Sequence, residues 1–142
     1  MKLIPVAEHR DAPKLLYRLL EERTPDTNIS HKEMPSWLRH LAFIGSDPYD
    51  EWYVIAVDYD CVPAGAIYLT HNSEIGIGVL SEFQGRGYGP AAIERLMALH
   101  PRSCFFANIN PRNRRSIIMF SKLGFELLRE EETQNVYALE AA

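Results

Sequence analysis

The chain has 142 residues, of which 46% are hydrophobic, and its formal net charge is −4. This length and apolar content fit one hydrophobic core, so residues 1–142 are expected to form a single domain. An acidic chain lacks the positive field that binds a polyphosphate, which disfavours nucleic acid as a partner and mildly favours a cationic substrate. No apolar run approaches the roughly 20 residues that cross a bilayer, and no basic leader begins the chain, so a cytoplasmic protein without a membrane partner is expected.

Hydrophobic periodicity and turn-forming residues divide the chain into strands and helices. Helices are predicted at residues 11–23, 37–45, 90–100 and 113–122, and strands at residues 2–7, 51–57, 62–71, 74–80, 104–109, 125–129 and 134–139. Asp11 and Asn113 are placed to cap the helices that follow them. Short links between the three strands from residue 51 to residue 80 indicate antiparallel neighbours. The predicted order is βααβββαβαββ.

A glycine-rich turn follows the fourth strand, in the segment Gly78–Pro90 with the sequence GVLSEFQGRGYGP. A helix begins directly after it, and the first N–H groups of a helix have no partner within the helix and lie at the positive end of its dipole. Gly85, Gly87 and Gly89 would let a phosphate approach the backbone without a Cβ in the way. This pattern is typical of an anion-binding turn.

Three interpretations of the turn compete. A tight strand-to-helix connection would explain one glycine better than three alternating ones. A dinucleotide site is suggested by the GxGxxA match that begins at Gly87, but that site needs parallel strands on both sides and an acidic residue about 20 positions on. Here the preceding strands are antiparallel, and the following strand ends at Asn108 and Asn110 instead of at an acid.

The third interpretation is a family resemblance. Residues 84–89, QGRGYG, resemble the acetyl-CoA signature Gln/Arg-x-x-Gly-x-Gly/Ala of the Gcn5-related N-acetyltransferase (GNAT) superfamily. A second block, NRRSIIMFSKLGF at residues 113–125, is similar to the segment Asn-x-x-Ser/Ala-x-x-x-Tyr/Phe-x-Lys-x-Gly-Phe of the same superfamily. Both blocks stand in the family's order and spacing, and the resemblance is specific from residue 74 to residue 125.

The resemblance implies the GNAT fold, an α/β fold of the α+β type with a twisted, mostly antiparallel mixed sheet flanked by helices. The fourth and fifth strands would splay, and acetyl-CoA would enter the gap as cosubstrate, with its pyrophosphate on the amides of the glycine turn. A main-chain N–H of Val79 or Leu80 would stabilise the oxyanion. The residues that the resemblance assigns to the cofactor are Val79, Leu80, Gln84, Gly85, Arg86, Gly87, Tyr88, Gly89, Asn113, Arg115, Ser116 and Phe120.

An amine acceptor must lose a proton before it attacks, because an alkylammonium has a pKa of about 10.4. Glu74 is the candidate catalytic base, since it begins the cofactor strand near where several family members carry a catalytic carboxylate. The alternative is a solvated charge at a strand end. His71 is a second candidate, against the alternative of an ordinary turn residue, and Glu82 is expected to be an exposed carboxylate.

Phe120 departs from the family pattern. Many members have a tyrosine at this position and use its hydroxyl to protonate the departing thiolate, which a phenylalanine cannot do. Tyr53, Tyr68 and Tyr88 are other phenols, and the sequence does not rank them as substitutes.

Several other residues have two interpretations each. Trp37, Trp52, Tyr49, Tyr53 and Tyr59 either line an acceptor pocket or pack in the core. One arginine of the cluster Arg112, Arg114 and Arg115 is expected to contact the cofactor. His31 and His40 are expected on the surface. Cys61 and Cys104 lack metal-ligand spacing, so no metal site is expected.

The expected function is acetyl transfer from acetyl-CoA to a primary amine by direct attack. One alternative is an acyl-CoA-binding or regulatory module that keeps the fold without the chemistry, and a nucleotide-dependent enzyme is another. A small amine, an antibiotic, a polyamine, an amino sugar and a protein N-terminus all remain open as acceptors. A homodimer also remains open, because many members of the family are dimers.

Overall fold

The computed structural model describes residues 1–27 and 33–140, and the order of its helices and strands is the predicted βααβββαβαββ. Short 3-10 turns follow the first and fourth strands. The strands are β1 (Lys2–Pro5), β2 (Glu51–Val57), β3 (Val62–Leu69), β4 (Ile75–Val79), β5 (Cys104–Ile109), β6 (Glu126–Glu130) and β7 (Asn135–Glu140). The helices are α1 (Ala12–Glu21), α2 (Trp37–Gly45), α3 (Tyr88–Leu99) and α4 (Arg114–Lys122).

The strands form two antiparallel groups, in the orders β1-β2-β3-β4 and β5-β7-β6. The groups meet between β4 and β5, where Glu74 forms a parallel bridge with Phe106. There the N–H of Phe106 donates to the carbonyl of Ser73 at 2.9 Å. No ladder joins β4 to β5 beyond this bridge in the described residues, so the sheet opens into a wedge. The predicted mixed sheet with splayed fourth and fifth strands is confirmed.

Hydrophobic side chains cover both faces of the larger sheet group, because alternate residues of a strand point to opposite faces. On one face Ile67 of β3 packs in a cluster with Ile93 and Leu96 of α3, all fully buried. On the other face Ala66 packs with Leu16 of α1. The two clusters fix α3 and α1 on opposite sides of β4, the strand that borders the wedge.

The helix starts differ in how they are capped. Asn113 caps α4 as predicted, since its side-chain oxygen accepts from the N–H of Ser116 at 3.3 Å. Asp11 is the N-cap residue of α1, but its side chain makes no capping hydrogen bond. Instead the N–H of Asp11 donates to the ring of His9 at 3.1 Å. The predicted side-chain cap at Asp11 is therefore wrong.

The buried residue of α2 is His40, with 3% exposure, so its predicted surface location is wrong. Its Nε2 donates to the carbonyl of Pro13 at 2.8 Å, and its ring lies between Tyr17 and Trp37 at centroid distances of 5.0 and 5.5 Å. A buried imidazole needs such a partner, because an unmade hydrogen bond costs free energy. His40 thus attaches α2 to α1, whereas His31 lies outside the described residues.

Two general findings apply to residues 1–27 and 33–140. No helix there combines the length and apolar character that a bilayer crossing requires. No group of three or more His, Cys, Asp or Glu side chains there could hold a metal ion.

Gly65 of β3 is required by the close approach of β4. A Cβ at Gly65 would lie 2.3 Å from the carbonyl oxygen of Gly78, a backbone atom that cannot move aside. We expect Gly65→Ala to lower the free energy of unfolding by at least about 1–3 kcal/mol, the usual cost of overpacking. Urea unfolding would measure it. Gly45→Ala is the control: with nothing within 4 Å of its Cβ, it should leave stability unchanged or raise it slightly. Equal free energies of unfolding for Gly65→Ala and Gly45→Ala would contradict the claim that the approach of β4 requires a glycine at residue 65.

Candidate functional site

The wedge between β4 and β5 continues into a cleft of about 770 Å³. We call the part between residues 83–90 and residues 113–122 the glycine half. The part under α1 and α2 is the aromatic half, which is lined by Leu16, Leu19, Leu20, Glu22, Arg23, His40, Phe43, Tyr49, Trp52 and Tyr68. Strand β4 runs between the two halves.

One edge of β4 is open towards the cleft. Its even-numbered residues pair with β3: Gly78 lies opposite Ala66, and the N–H of Leu80 donates to the carbonyl of Ala64 at 2.8 Å. Because N–H and C=O groups alternate in direction along an antiparallel strand, those of Ile77 and Val79 point away from β3 into the wedge. Leu80 is also fully buried. The prediction that its N–H could be an oxyanion donor is therefore wrong, and Val79 keeps that position.

A side-chain bridge links β4 to α4 across the glycine half. The amide of Gln84 donates from Nε2 to the carbonyl of Val79 at 2.9 Å. The oxygen of the same amide accepts from the guanidinium of Arg115. Two residues that the sequence assigns to the cofactor, Gln84 and Arg115, are thus brought together at the cleft.

The glycine turn presents free main-chain donors. Gly85 and Gly87 have φ values of +77° and +83°, the left-handed region that glycine adopts without strain, and a Cβ at either position would meet nothing within 4 Å. Within the described chain no recorded hydrogen bond uses the N–H groups of residues 85–89. These groups lie at the start of α3, where the helix dipole is positive. The turn therefore leaves a group of main-chain donors unpaired at the positive end of α3.

Gly89 and Arg86 differ in their surroundings. A Cβ at Gly89 would lie 2.8 Å from the sulfur of Met119, so its missing side chain makes room for α4, and Gly89 also lines the cleft. The Arg86 guanidinium lies 5.6 Å from the ring centroid of Phe83, and Arg86 is not among the residues that line the cleft. Tyr88 does line it.

Residues of α4 form the opposite wall. Asn113 and Ser116 face the cleft, as the sequence predicts. Phe120 also borders it, but only 2% of Phe120 is exposed, and its ring packs edge-to-face on Phe125 at 5.0 Å.

The arginine cluster beside α4 divides between two locations. Arg115 lines the cleft. Arg112 is engaged elsewhere, in an ion pair with Asp26 at 3.3 Å. The expectation that one arginine of the cluster meets the cofactor therefore rests on Arg115.

Glu74 lies at the closed end of the wedge. One carboxylate oxygen accepts from the Asn108 amide at 2.6 Å, and the other accepts from the Thr70 hydroxyl at 3.2 Å. The side chain borders a smaller cavity of about 270 Å³. Asn108 lines both this cavity and the main cleft, so its side chain lies between Glu74 and the main cleft.

The two other carboxylate and imidazole candidates lie outside both cavities. His71 is 78% exposed and bonds to Asp50, which also pairs with Arg102 at 3.2 Å. Glu82 is exposed, as expected, and pairs with Arg18 at 2.7 Å.

Four aromatic rings line the aromatic half: Phe43, Tyr49, Trp52 and Tyr68. Tyr68 lies directly over Gly76 of β4, where a Cβ would come within 2.0 Å of the ring. Tyr49 stacks on Tyr68, with centroids 3.9 Å apart and planes at 4°, and Trp52 meets Tyr49 edge-on at 4.9 Å. Phe43 completes this set of rings, with its ring centroid 6.1 Å from that of Trp52.

The phenols of Tyr49 and Tyr68 have raised pKa values. Burial raises the pKa of Tyr49 to about 12, the Tyr68 phenol adds to the rise, and the positive charge of Arg23 opposes it. Burial also raises the pKa of Tyr68, with Arg23 opposing the rise and Glu74 adding to it. Both hydroxyls therefore keep their protons at neutral pH.

Comparison with known proteins decides the family. The profile described as "Acetyltransferase (GNAT) family" matches residues 16–125, which is most of the chain. The chain belongs to this family.

Comparison with curated protein sequences finds no significant match. An acetyltransferase from Thermus thermophilus superposes with a TM-score of 0.74 at 20% identity, over 99% of this chain and 96% of that one. A domain from Methanocaldococcus jannaschii gives 0.77 at 18% identity, over 99% and 97%. Spermidine N-acetyltransferase from Vibrio cholerae, solved with CoA and spermine, gives 0.77 at 14% identity, over 96% and 92%. These likenesses show the GNAT fold.

The structure also distinguishes the three phenols, Tyr53, Tyr68 and Tyr88, that could substitute for the hydroxyl missing from Phe120. The Tyr53 hydroxyl lies 2.6 Å from Nε2 of His100 and 3.2 Å from Glu51, and Tyr53 does not line the cleft. Tyr88 lies in the glycine half and packs near Phe83. Tyr68 is the phenol that lies over β4.

Sequence reasoning missed Arg23, Phe43 and Asn108 as cleft residues. Of the five residues that the sequence offered for an acceptor pocket or the core, Tyr49 and Trp52 line the cleft, whereas Trp37, Tyr53 and Tyr59 do not, and Tyr59 is fully exposed. Tyr68, which the sequence offered only as a phenol, also lines it. One signal was present: a glycine inside a strand marks a close approach, and Gly76 stands in β4 where the Tyr68 ring crosses it.

The raised pKa of Tyr49 predicts a loss of stability at high pH. Below about pH 10 the phenol is protonated in both states, so its contribution is complete. As pH rises towards about 12, the unfolded phenol ionises while the folded one keeps its proton, and the free energy of unfolding falls. Tyr49→Phe should make this decline shallower in urea unfolding between about pH 9 and about pH 11. Tyr59→Phe is the control, because Tyr59 is fully exposed. Parallel declines in both variants would contradict the prediction.

Proposed function

We propose that this GNAT protein transfers an acetyl group from acetyl-CoA to a primary amine by direct attack, without a covalent enzyme intermediate. The observation that carries the proposal is the conjunction, in one cleft, of an open β4 edge with free N–H groups at residues 85–89. The spermidine N-acetyltransferase that shares this fold was solved with CoA, which supports the same cosubstrate here.

The glycine half fits acetyl-CoA. A diphosphate suits the N–H groups of residues 85–89, since the positions of Gly85 and Gly87 leave open space above them. The pantetheine amides suit the open edge at Ile77 and Val79, with Asn113 facing them from α4. The adenosine phosphate would meet Arg115. The dinucleotide interpretation loses its support, because β4 pairs with an antiparallel β3 and separates from β5.

The bound thioester supplies an already activated acetyl group, so the chain contributes mainly position and charge stabilisation. The N–H of Val79, on the open edge, is our candidate donor to the developing oxyanion. A thiol has a pKa of about 8.5, so the thiolate can depart without a protein acid, and the lack of a hydroxyl on Phe120 is compatible with turnover.

Glu74 is our candidate for the base that takes the proton from the acceptor ammonium, through water. The hydrogen bonds from Thr70 and Asn108 hold its carboxylate at the closed end of the wedge. Residues 74 and 76 share a face of the sheet by strand alternation, and the Tyr68 ring covers that face at Gly76, so Glu74 lies on the side where the aromatic half opens.

Gly87→Ala tests the cosubstrate site. A Cβ at φ +83° strains the turn and projects into the space that we assign to the diphosphate, so affinity for acetyl-CoA should fall about tenfold or more. Titration calorimetry would measure it. Gly124→Ala is the control, because Gly124 has φ +99° but lies against Leu139, away from the cleft. If Gly87→Ala folds and binds acetyl-CoA as the parent does, the cosubstrate assignment fails.

Glu74→Gln tests the base. The amide keeps the shape but accepts no proton, so kcat for an amine acceptor should fall by about 10²–10⁴ with acetyl-CoA affinity retained. Release of free thiol would follow the reaction. Glu82→Gln, which alters an exposed ion-paired carboxylate, should leave kcat within about twofold. An unchanged kcat in Glu74→Gln would exclude Glu74, and thiol release that no amine stimulates would favour a binding module instead.

A further inference from the structure

Arg23 contributes a cation to the aromatic half and makes no ion pair within residues 1–27 and 33–140. It follows the end of α1 and lines the cleft together with Tyr49 and Tyr68. Its positive charge opposes the rise in the pKa of both phenols. Residues 28–32, which follow in the chain, have the sequence NISHK and contain no acid.

The acids near Arg23 are already engaged. The carboxylate of Glu22 accepts from the main-chain N–H of Ser81 at 2.9 Å. Asp26 pairs with Arg112 at 3.3 Å. The lining of the aromatic half therefore includes one guanidinium that makes no ion pair in the described residues, beside the Glu22 carboxylate, which is held by the Ser81 N–H.

A charge of the opposite sign comes from Glu74. Glu74 and Arg23 act on the pKa of the same phenol, Tyr68, in opposite directions. Glu74 stands at the bridge that closes the wedge, and Arg23 stands just after the end of α1, so the two charges come from different parts of the fold. A ligand packed on the Tyr68 ring could direct one polar group towards Glu74 and another towards Arg23.

We propose that the acceptor is an amine that also carries a carboxylate and a flat apolar body, and that Arg23 binds the carboxylate. This inference deepens the proposed function and rests on it. The amine would face Glu74 and the open edge of β4, and the body would pack on Tyr49 and Trp52. A guanidinium binds a carboxylate with two parallel hydrogen bonds, which gives specificity as well as affinity.

Arg23 argues against a polyamine acceptor. Spermine, bound in the spermidine N-acetyltransferase of the same fold, is a polycation. In this chain a polycation would place a second ammonium near the Arg23 guanidinium, where like charges repel. The local charge of the cleft thus reverses the preference that the net charge of −4 suggests.

The test compares amines that differ in one carboxylate: 4-aminomethylbenzoate against benzylamine, and L-phenylalanine against phenethylamine, with spermidine as the polycation. In each assay acetyl-CoA is saturating and free thiol is measured. A charge-assisted hydrogen bond predicts a preference of about 10- to 100-fold in kcat/KM for the carboxylate member of at least one pair. Arg23→Gln should abolish that preference through KM, with kcat retained.

Arg39→Gln is the matched control, because Arg39 is an exposed arginine of α2 that does not line the cleft. Arg39→Gln should keep the preference for the amine that carries a carboxylate. If both pairs react equally well in the parent protein, if spermidine is preferred, or if Arg23→Gln keeps the carboxylate preference, the inference is overturned while acetyl transfer stands.

A binding measurement separates this inference from the proposed function. The chain has two tryptophans, so Trp37→Phe leaves Trp52, in the aromatic wall, as the fluorescent reporter. In this background 4-aminomethylbenzoate should quench Trp52, and adding Arg23→Gln should weaken its affinity about tenfold or more. If no amine stimulates thiol release but this Arg23-dependent binding is found, the transferase proposal fails and the carboxylate site stands. If neither amine-stimulated thiol release nor Arg23-dependent binding is found, both the transferase proposal and the carboxylate site are overturned.

Discussion

The cleft exists because β4 and β5 separate after a single bridge. One parallel bridge at Glu74 holds the two halves of the sheet together, and beyond it each strand keeps its own antiparallel partners. A sheet edge that is left unpaired normally invites aggregation or needs cover. Here the unpaired edge of β4 lies inside the fold, between α3 and α4 on one side and α1 on the other, so the N–H groups of Ile77 and Val79 are left available to a ligand. Glu74 stands at that junction because the bridge is where the wedge closes.

The sequence predicted the order of the helices and strands and the glycine half of the cleft, because both depend on local patterns. Positive φ at Gly85 and Gly87 and the cap at Asn113 are properties of single residues and their neighbours in the chain. The direction of a main-chain N–H is different, because it depends on strand register. Leu80 could not be told from Val79 until its pairing with Ala64 was known.

The aromatic half escaped prediction for the same physical reason. Its residues come from α1, α2, β2 and β3, and tertiary packing alone brings them together. His40 shows how composition misleads: a polar residue that was expected on the surface is buried in α2, because the Pro13 carbonyl satisfies its ring. The net charge of the chain is also a poor guide to the local charge of the cleft. A net charge of −4 does not reveal that Arg23 lines the cleft without an ion pair in the described residues.

The location of the two hydrophobic clusters on opposite faces of β2, β3 and β4 has a consequence for how such a protein diversifies. The cluster under α3 and α4 supports the glycine turn, whereas the cluster under α1 supports the aromatic half of the cleft. Substitutions at Phe43 or Arg23 change one layer and leave the other intact. On the proposed roles, a lineage built on this scaffold can exchange one acceptor for another while inheriting its donor chemistry unchanged.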